Sequence, residues 1–340
     1  MTDTGEHCVD QRGLVIIGVL LLLVLFLAIL GIMIGAVVLN AGEVLAALGG
    51  GKNAFIVMQY RLPRVMMAIL AGMAFGLAGM FLQGALRNPL ASPDVVGVTK
   101  CAGLGAFLVG LVTPPAWVIW TIPLGVITGA LIGALTLLSI GKQLGGSTTA
   151  LALTGVALGL LAHALIQYLM ILVPSRSDQS VVWLAGSVYG STKADVLALS
   201  LWLLACTPAV MIAAVRLDAA GFGDDTLTSI GLPPRFLRGG LVIVSVLLCA
   251  GAVAGVGSMG FLGLIAPHAA RLMVGRRARY FVPASALIGA LALSLADLIG
   301  RVVALPNEIP AGIVAAIIGG TYLVFLLFKE MGRRDRYPGS

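Results

Sequence analysis

The chain has 340 residues; 59% are apolar or aromatic and 10% are charged, against about 25% charged in an average soluble protein. A mean hydropathy of +1.08 leaves too little polar surface to cover a soluble globule. These values exclude a cytosolic enzyme, a secreted disulfide scaffold, a disordered chain and a nucleic-acid binder. They leave an integral membrane protein, in which the net charge of +7 speaks first of topology.

A helix needs about 20 apolar residues to cross hydrocarbon. Residues 13–42 carry no charge and predict span 1. The run is too long for a signal-peptide core of about 7–15 residues, so it is read as retained. Residues 65–86 predict span 2. Residues 101–141 are too long for one crossing, and Thr113-Pro114-Pro115 divides them into spans 3 and 4, because proline lacks an N–H and blocks the preceding turn. Residues 143–175 predict span 5 and 196–215 span 6. Residues 239–270 are again divided, by Gly255-Val256-Gly257-Ser258-Met259-Gly260, into spans 7 and 8. Spans 9 and 10 fall at 281–303 and 310–328. The segments are continuously apolar rather than alternating over ~10 residues, which excludes barrel strands. The expected fold is therefore all-α: one transmembrane domain over 1–340 with about ten spans.

An even number of spans with the N-terminus inside leaves only Lys52, Arg61, Arg64, Arg176, Lys193 and Arg301 outside; every other Lys and Arg falls inside. The tails 1–13 and 329–340 are then cytoplasmic, as is the polar segment 216–238.

Chemistry-bearing motifs are few. The four cysteines form no C-x-x-C, and His7, His163 and His268 have no paired ligand nearby, so no metal centre and no cofactor are expected. Gly255–Gly260 fits G-x-G-x-x-G but lies between apolar spans, with no acid before Asp297. No phosphate-cradling loop occurs, so any ATP drive belongs to another polypeptide. Ion-coupled carriers keep charges near the midplane, whereas spans 1 to 8 hold no central carboxylate. Asp297, the one acid well inside a span, stands four residues before Arg301, and an ion pair on one helix face is expected. This disfavours an ion-coupled secondary transporter, and no nucleophile–base pair supports a membrane enzyme.

In the segment 216–240, Asp224 or Asp225 caps a short helix over 225–230, closed by Gly231 and stopped by Pro233-Pro234. It reads either as a solvated loop or as a helix that docks into a partner's groove. In span 5 a face at helical spacing holds Thr154, Leu158 and Ala162, with Gly159 beside them. Small, weakly polar residues there suit either a substrate path or helix packing.

Several motifs, taken together and in order, resemble the permease subunits of bacterial ABC importers for iron–siderophores and vitamin B12. They are Tyr60-Arg61-Leu62-Pro63-Arg64, Gln83–Asp94, Leu153–Leu158, Trp183–Ser187, Gly260–His268, Ala296-Asp297 with Arg301, and Glu308–Ile313. The resemblance covers about 60–330 and leans toward the ferric-siderophore branch, including its ferric-citrate members. Ala266 and Ala311 stand where the family usually has Val. It implies ten helices with an inverted repeat, to which the echo of Leu82–Pro89 in Leu262–Pro267 conforms. It also implies a second permease subunit, identical or paralogous, two cytoplasmic ATPases and an external binding protein, in the bacterial inner membrane. The substrate would be a ferric siderophore, with vitamin B12 or haem as the alternative. On this resemblance Arg61, Arg64 and Arg301 meet carboxylates of the binding protein. Asp224, Asp225, Thr228, Ser229, Ile230, Gly231 and Leu232 form the coupling helix, with Leu227 and Ile230–Gly231 as its apolar contact with the ATPase. Asn88, Pro89 and Leu90, and Ser147, Thr148 and Thr149 after Gly145-Gly146, form inner gates in cytoplasmic turns.

Overall fold

Each predicted span is a helix in the computed structural model, which describes residues 3–35, 37–144, 147–173, 184–221, 224–229, 231–304 and 307–334. In chain order the helices are α1 (Asp3–Met33), α2 (Ala41–Leu48), α3 (Leu62–Leu86), α4 (Val98–Val112), α5 (Val118–Gln143) and α6 (Thr148–Leu172). Then come α7 (Lys193–Ala219), α8 (Asp224–Ser229), α9 (Pro234–Val256), α10 (Leu262–Val274), α11 (Ala278–Val303) and α12 (Ala311–Arg334). No strand occurs among the described residues. Seven helical stretches are long and apolar enough to cross a membrane; Val98–Val112, Leu262–Val274 and Ala311–Phe325 are shorter.

The predicted breaks are real. Pro114 lies between α4 and α5, and α9 ends at Gly257, with φ +79°, before Phe261 opens α10 at φ +66°. Other boundaries need correcting. α1 and α12 run through much of the expected tails, and α1 stops at Met33 rather than continuing to residue 42. The charge-free run hides a second helix there. Asn40 accepts from the Glu43 amide and Glu43 accepts from the Asn40 amide, both at 2.8 Å, a reciprocal cap that starts α2. The segment 216–238 is less loop than expected, because α7 continues to Ala219 and α9 begins at Pro234. A π turn over Ile56–Arg61 runs directly into α3, where Pro63 sits in the first helical turn.

α3 is the axis of the bundle. Ser245 on α9 donates to the Ala78 carbonyl at 2.7 Å, while Met67 lies against Gly255 and Gly84 against Leu241. Rising numbers on one helix meet falling numbers on the other, so α3 and α9 are antiparallel. Gly72 and Gly76 meet Gly289 and Ser285 of α11 in the same sense. A Cβ at Gly72 would overlap the Gly289 carbonyl oxygen; glycine is what lets these backbones touch, and close packing is the main attraction between helices in lipid. α1 runs parallel to α11, from Gly13 beside Tyr280 to Gly31 beside Arg301. These directions agree with alternating spans, and they put one set of charged groups at each end of the bundle.

The short helices begin inside it. After α3 the chain turns back, so that Pro93 lies against Gly263 and Gly79 of α3 abuts the same Gly263. Gly97, at φ +77°, reaches Gly159 near the middle of α6; a Cβ on Gly159 would come within 2.8 Å of the Gly97 Cα. α4 therefore starts at mid-depth rather than at the inner surface.

Candidate functional site: two charged ends and the route between them

At the outer end five charged side chains interlock. Arg64 donates through Nε to Asp297 Oδ1 at 2.9 Å and reaches Glu308 Oε2 at 2.7 Å, joining α3, α11 and the approach to α12. Arg301 pairs with Asp297, the i, i+4 contact expected from spacing, and donates to the Gly31 carbonyl at 2.8 Å. Arg61 donates to the carbonyls of Ile32 (2.7 Å), Met33 (2.9 Å) and Val37. The last carbonyls of a helix have no partner within it and carry partial negative charge, so Arg61 and Arg301 together close the end of α1.

The expected docking surface is corrected in one respect. Arg61 and Arg301 are 7% and 4% exposed and spend their donors inside the protein, whereas a dock needs charge at the surface. Arg64 keeps 12% of its side chain accessible and lies 5.5 Å beneath the Tyr189 ring; Glu308 is 33% exposed beside it. Removing Asp297 would leave the Arg301 guanidinium buried without its counter-charge, while Arg64 keeps Glu308; stranding a buried charge typically costs about 3–5 kcal/mol.

At the opposite end of the bundle, expected to face inward, the turn expected to gate and the segment expected to couple meet. Arg87, in left-handed conformation at φ +46°, ends α3 and donates from Nε to the Ala220 carbonyl at 3.1 Å. Asn88 Oδ1 accepts from the Leu90 amide at 2.9 Å, an Asx turn that shapes Asn88-Pro89-Leu90. A cleft of about 200 Å³ opens here, lined by Gln83, Arg87, Asn88 and Pro89 from the α3 side and by Leu217, Ala220 and Gly221 from the α7 side. Arg271 and Arg276 complete it; Arg271 donates to Gln83 Oε1 at 3.0 Å and stacks over Phe281 at 5.6 Å. No Asp or Glu lines this cleft among the described residues.

α8 spans Asp224–Ser229, shifted one residue from the expected 225–230. Gly231, at φ +76°, donates to the Thr228 carbonyl at 3.0 Å, and Leu232 donates to the Leu227 carbonyl at 2.9 Å. This pair of bonds is the glycine stop read from the sequence. Leu227 is fully buried against the body of the protein, so it anchors α8 instead of offering the apolar contact expected of it. Asp225, Thr228, Ser229, Gly231 and Leu232 are exposed; Ile230 and the Asp224 side chain lie outside what the structure describes. The second expected gate falls at the start of α6. Ser147 caps α6, accepting from the Ala150 amide at 3.1 Å, and Thr148 and Thr149 are already helical; Gly145 and Gly146 are outside the described residues.

The expected path face of α6 is packed. Thr154 and Ala162 are 7% and 3% exposed, Gly159 is buried and Leu158 half-buried, with Val96 and Gly97 against them. Between α10 and α12, His268 Nδ1 shares a hydrogen bond with Tyr322 at 2.7 Å. No group of three His, Cys, Asp or Glu among the described residues could hold a metal ion.

An all-helical bundle with charge at both ends and no catalytic constellation defines a polytopic membrane protein. Residues 21–329 match the FecCD transport family, and the chain belongs to it. Its relatives include the Fe(3+)-citrate import system permease protein YfmE of Bacillus subtilis, 42% identical over 94% of this chain and 97% of that protein. Another is the Fe(3+) dicitrate transport system permease protein FecD of Escherichia coli, 36% identical over 82% of this chain and 87% of that one. Among solved structures, a metal-chelate type ABC transporter in an inward-facing conformation superposes with a TM-score of 0.82, at 27% identity, covering 92% of this chain and 99% of that chain.

Proposed function

We propose that this chain is the permease subunit of an ATP-driven importer that passes an iron(III) siderophore, of the ferric-citrate kind, from an external binding protein to the cytoplasm. It works beside a second permease subunit and two cytoplasmic ATPases in the bacterial inner membrane, crossing it ten times with both termini inside and an inverted repeat relating its halves. The chain does no covalent chemistry. ATP binding by the partners alternates access, and the permease supplies a route, gates and two docks.

The observation that carries this reading is the bond from Arg87 to Ala220, which links the end of α3 to the segment leading into α8. Motion imposed on α8 by an ATPase then reaches the turn Asn88-Pro89-Leu90 directly. The exposed residues of α8, with Asp224 and Ile230, form the inner dock, and Ser147, Thr148 and Thr149 form the second gate, at the start of α6. At the outer dock Arg64 and Glu308 meet the binding protein, while Arg61 and Arg301 hold them from beneath. The identity of YfmE and FecD as citrate-linked permeases favours a carboxylate chelate over vitamin B12 or haem. The test is ATP-dependent uptake by the reconstituted complex across a panel of ferric chelates, vitamin B12 and haem. Uptake of a ferric siderophore is expected. Uptake of vitamin B12 or haem alone would overturn the substrate, and uptake driven by an ion gradient without ATP would overturn the class.

A further inference from the structure

The outer end of the bundle matches its own charges; the middle does not. Lys100 stands in the first turn of α4, and a linear count of charges assigns it to the inner surface. The returning segment 87–97 carries it inward instead. Its Cδ lies 3.7 Å from where a Cβ would sit on Gly159, near the middle of α6. Lys100 is half-buried and makes no hydrogen bond or ion pair among the described residues. Asp94 does not neutralise it: one carboxylate oxygen accepts from Thr99 Oγ1 at 3.0 Å, and the other faces Gly260, on the side of α9 and α10.

On α6 the packed face ends beside this lysine. Gly159 and Ile166 are buried, whereas His163 and Gln167, one and two turns beyond Gly159 and rotated progressively away from α4, are exposed. Neither makes a hydrogen bond among the described residues. An ammonium, an imidazole and a carboxamide without a partner among the described residues, running from mid-depth toward the far end of α6, are costly against lipid, and such groups normally face a bundle interior or a water-filled route. The packing of Thr154, Leu158, Gly159 and Ala162 leaves this neighbouring seam as the polar side of α6.

We propose that Lys100, with His163 and Gln167, lines the substrate route and contacts carboxylate groups of an anionic iron(III) chelate. This rests on the importer reading and specifies where its cargo is felt. Lysine suits the task because it presents a compact charge on a flexible stem and lacks the rigid bidentate grip of arginine. A lone, unsealed cation attracts a polyanion and still releases it.

The test is uptake of iron(III) citrate by proteoliposomes carrying the complete transporter and its binding protein. Lys100→Gln should slow uptake about tenfold, equivalent to ~1.4 kcal/mol, while assembly with the ATPase and association with the binding protein stay unchanged. Lys100→Arg should keep most of the rate. Gln167→Glu, at an exposed position, should slow uptake by repelling the chelate, and it decides the matter if Lys100→Gln fails to assemble. Wild-type rates in both Lys100→Gln and Gln167→Glu would overturn the proposal. Failure of the wild-type transporter to take up iron(III) citrate or any other carboxylate chelate would overturn the substrate reading itself, and this inference with it.

Discussion

The two ends of the bundle use arginine in opposite ways. Outside, Arg61, Arg64 and Arg301 are matched by Asp297, Glu308 and the last carbonyls of α1, and two of the three are sealed from solvent. Inside, Arg87, Arg271 and Arg276 border an open cleft with no acid among its described lining residues, between the turn Asn88-Pro89-Leu90 and the end of α7. A matched and buried network makes four helix ends into one block. Across the open cleft the Arg87–Ala220 bond ties the end of α3 to the end of α7. The difference teaches that a matched, buried network suits a fixed frame; on the proposed function the open inner end is the part that follows the ATPases.

The comparison breaks most easily at Asp297. Asp297→Ala should cost about 3–5 kcal/mol by stranding the buried Arg301, read as lost yield and a lower unfolding temperature of the purified permease, with Asp297→Asn milder. Next is the packing of α6. Ala162→Trp should lose the folded protein, since overpacking a buried site costs about 1–3 kcal/mol or more, measured as monodisperse yield. A well-folded Ala162→Trp variant with blocked uptake would return the route to that face. At the inner end, Gly231→Trp should leave the permease folded and uncouple ATP hydrolysis from uptake; the left-handed backbone alone costs a non-glycine residue about 1 kcal/mol. The smallest effect is expected at the outer rim. Glu308→Gln, at the 33%-exposed partner of Arg64, should weaken association with the binding protein in a salt-sensitive way, by about 0.2–1 kcal/mol for an exposed pair, as read by titration at two ionic strengths.

Much of this was legible in the sequence, and the remainder has identifiable causes. Charge-free runs set the spans because a membrane helix has nowhere to put a charge. Pro114 and Gly257 marked real breaks, and Gly231 with Pro233-Pro234 marked the end of α8, because these residues act on the local backbone. The fate of Arg61 and Arg64 was not local. Arg64 finds its carboxylate 233 residues away, and Arg61 finds backbone carbonyls that no residue letter reveals. The face of Thr154, Leu158 and Ala162 stayed open between path and packing because small residues serve both, and the structure shows it packed. Lys100 was assigned to the inner surface because a linear count cannot see a segment that doubles back; the signals were Gly97 and the brevity of α4.

The most direct test asks whether the coupling segment carries the gate with it. Spin labels at Asn88→Cys and Asp225→Cys, in a background without native cysteines, report the distance between the two parts in the assembled, transporting complex. A single distance distribution that stays unchanged through the ATP cycle is expected, and it should broaden when Arg87→Ala removes the bond to Ala220. A distance that shifts with nucleotide while Arg87 is intact would contradict the account.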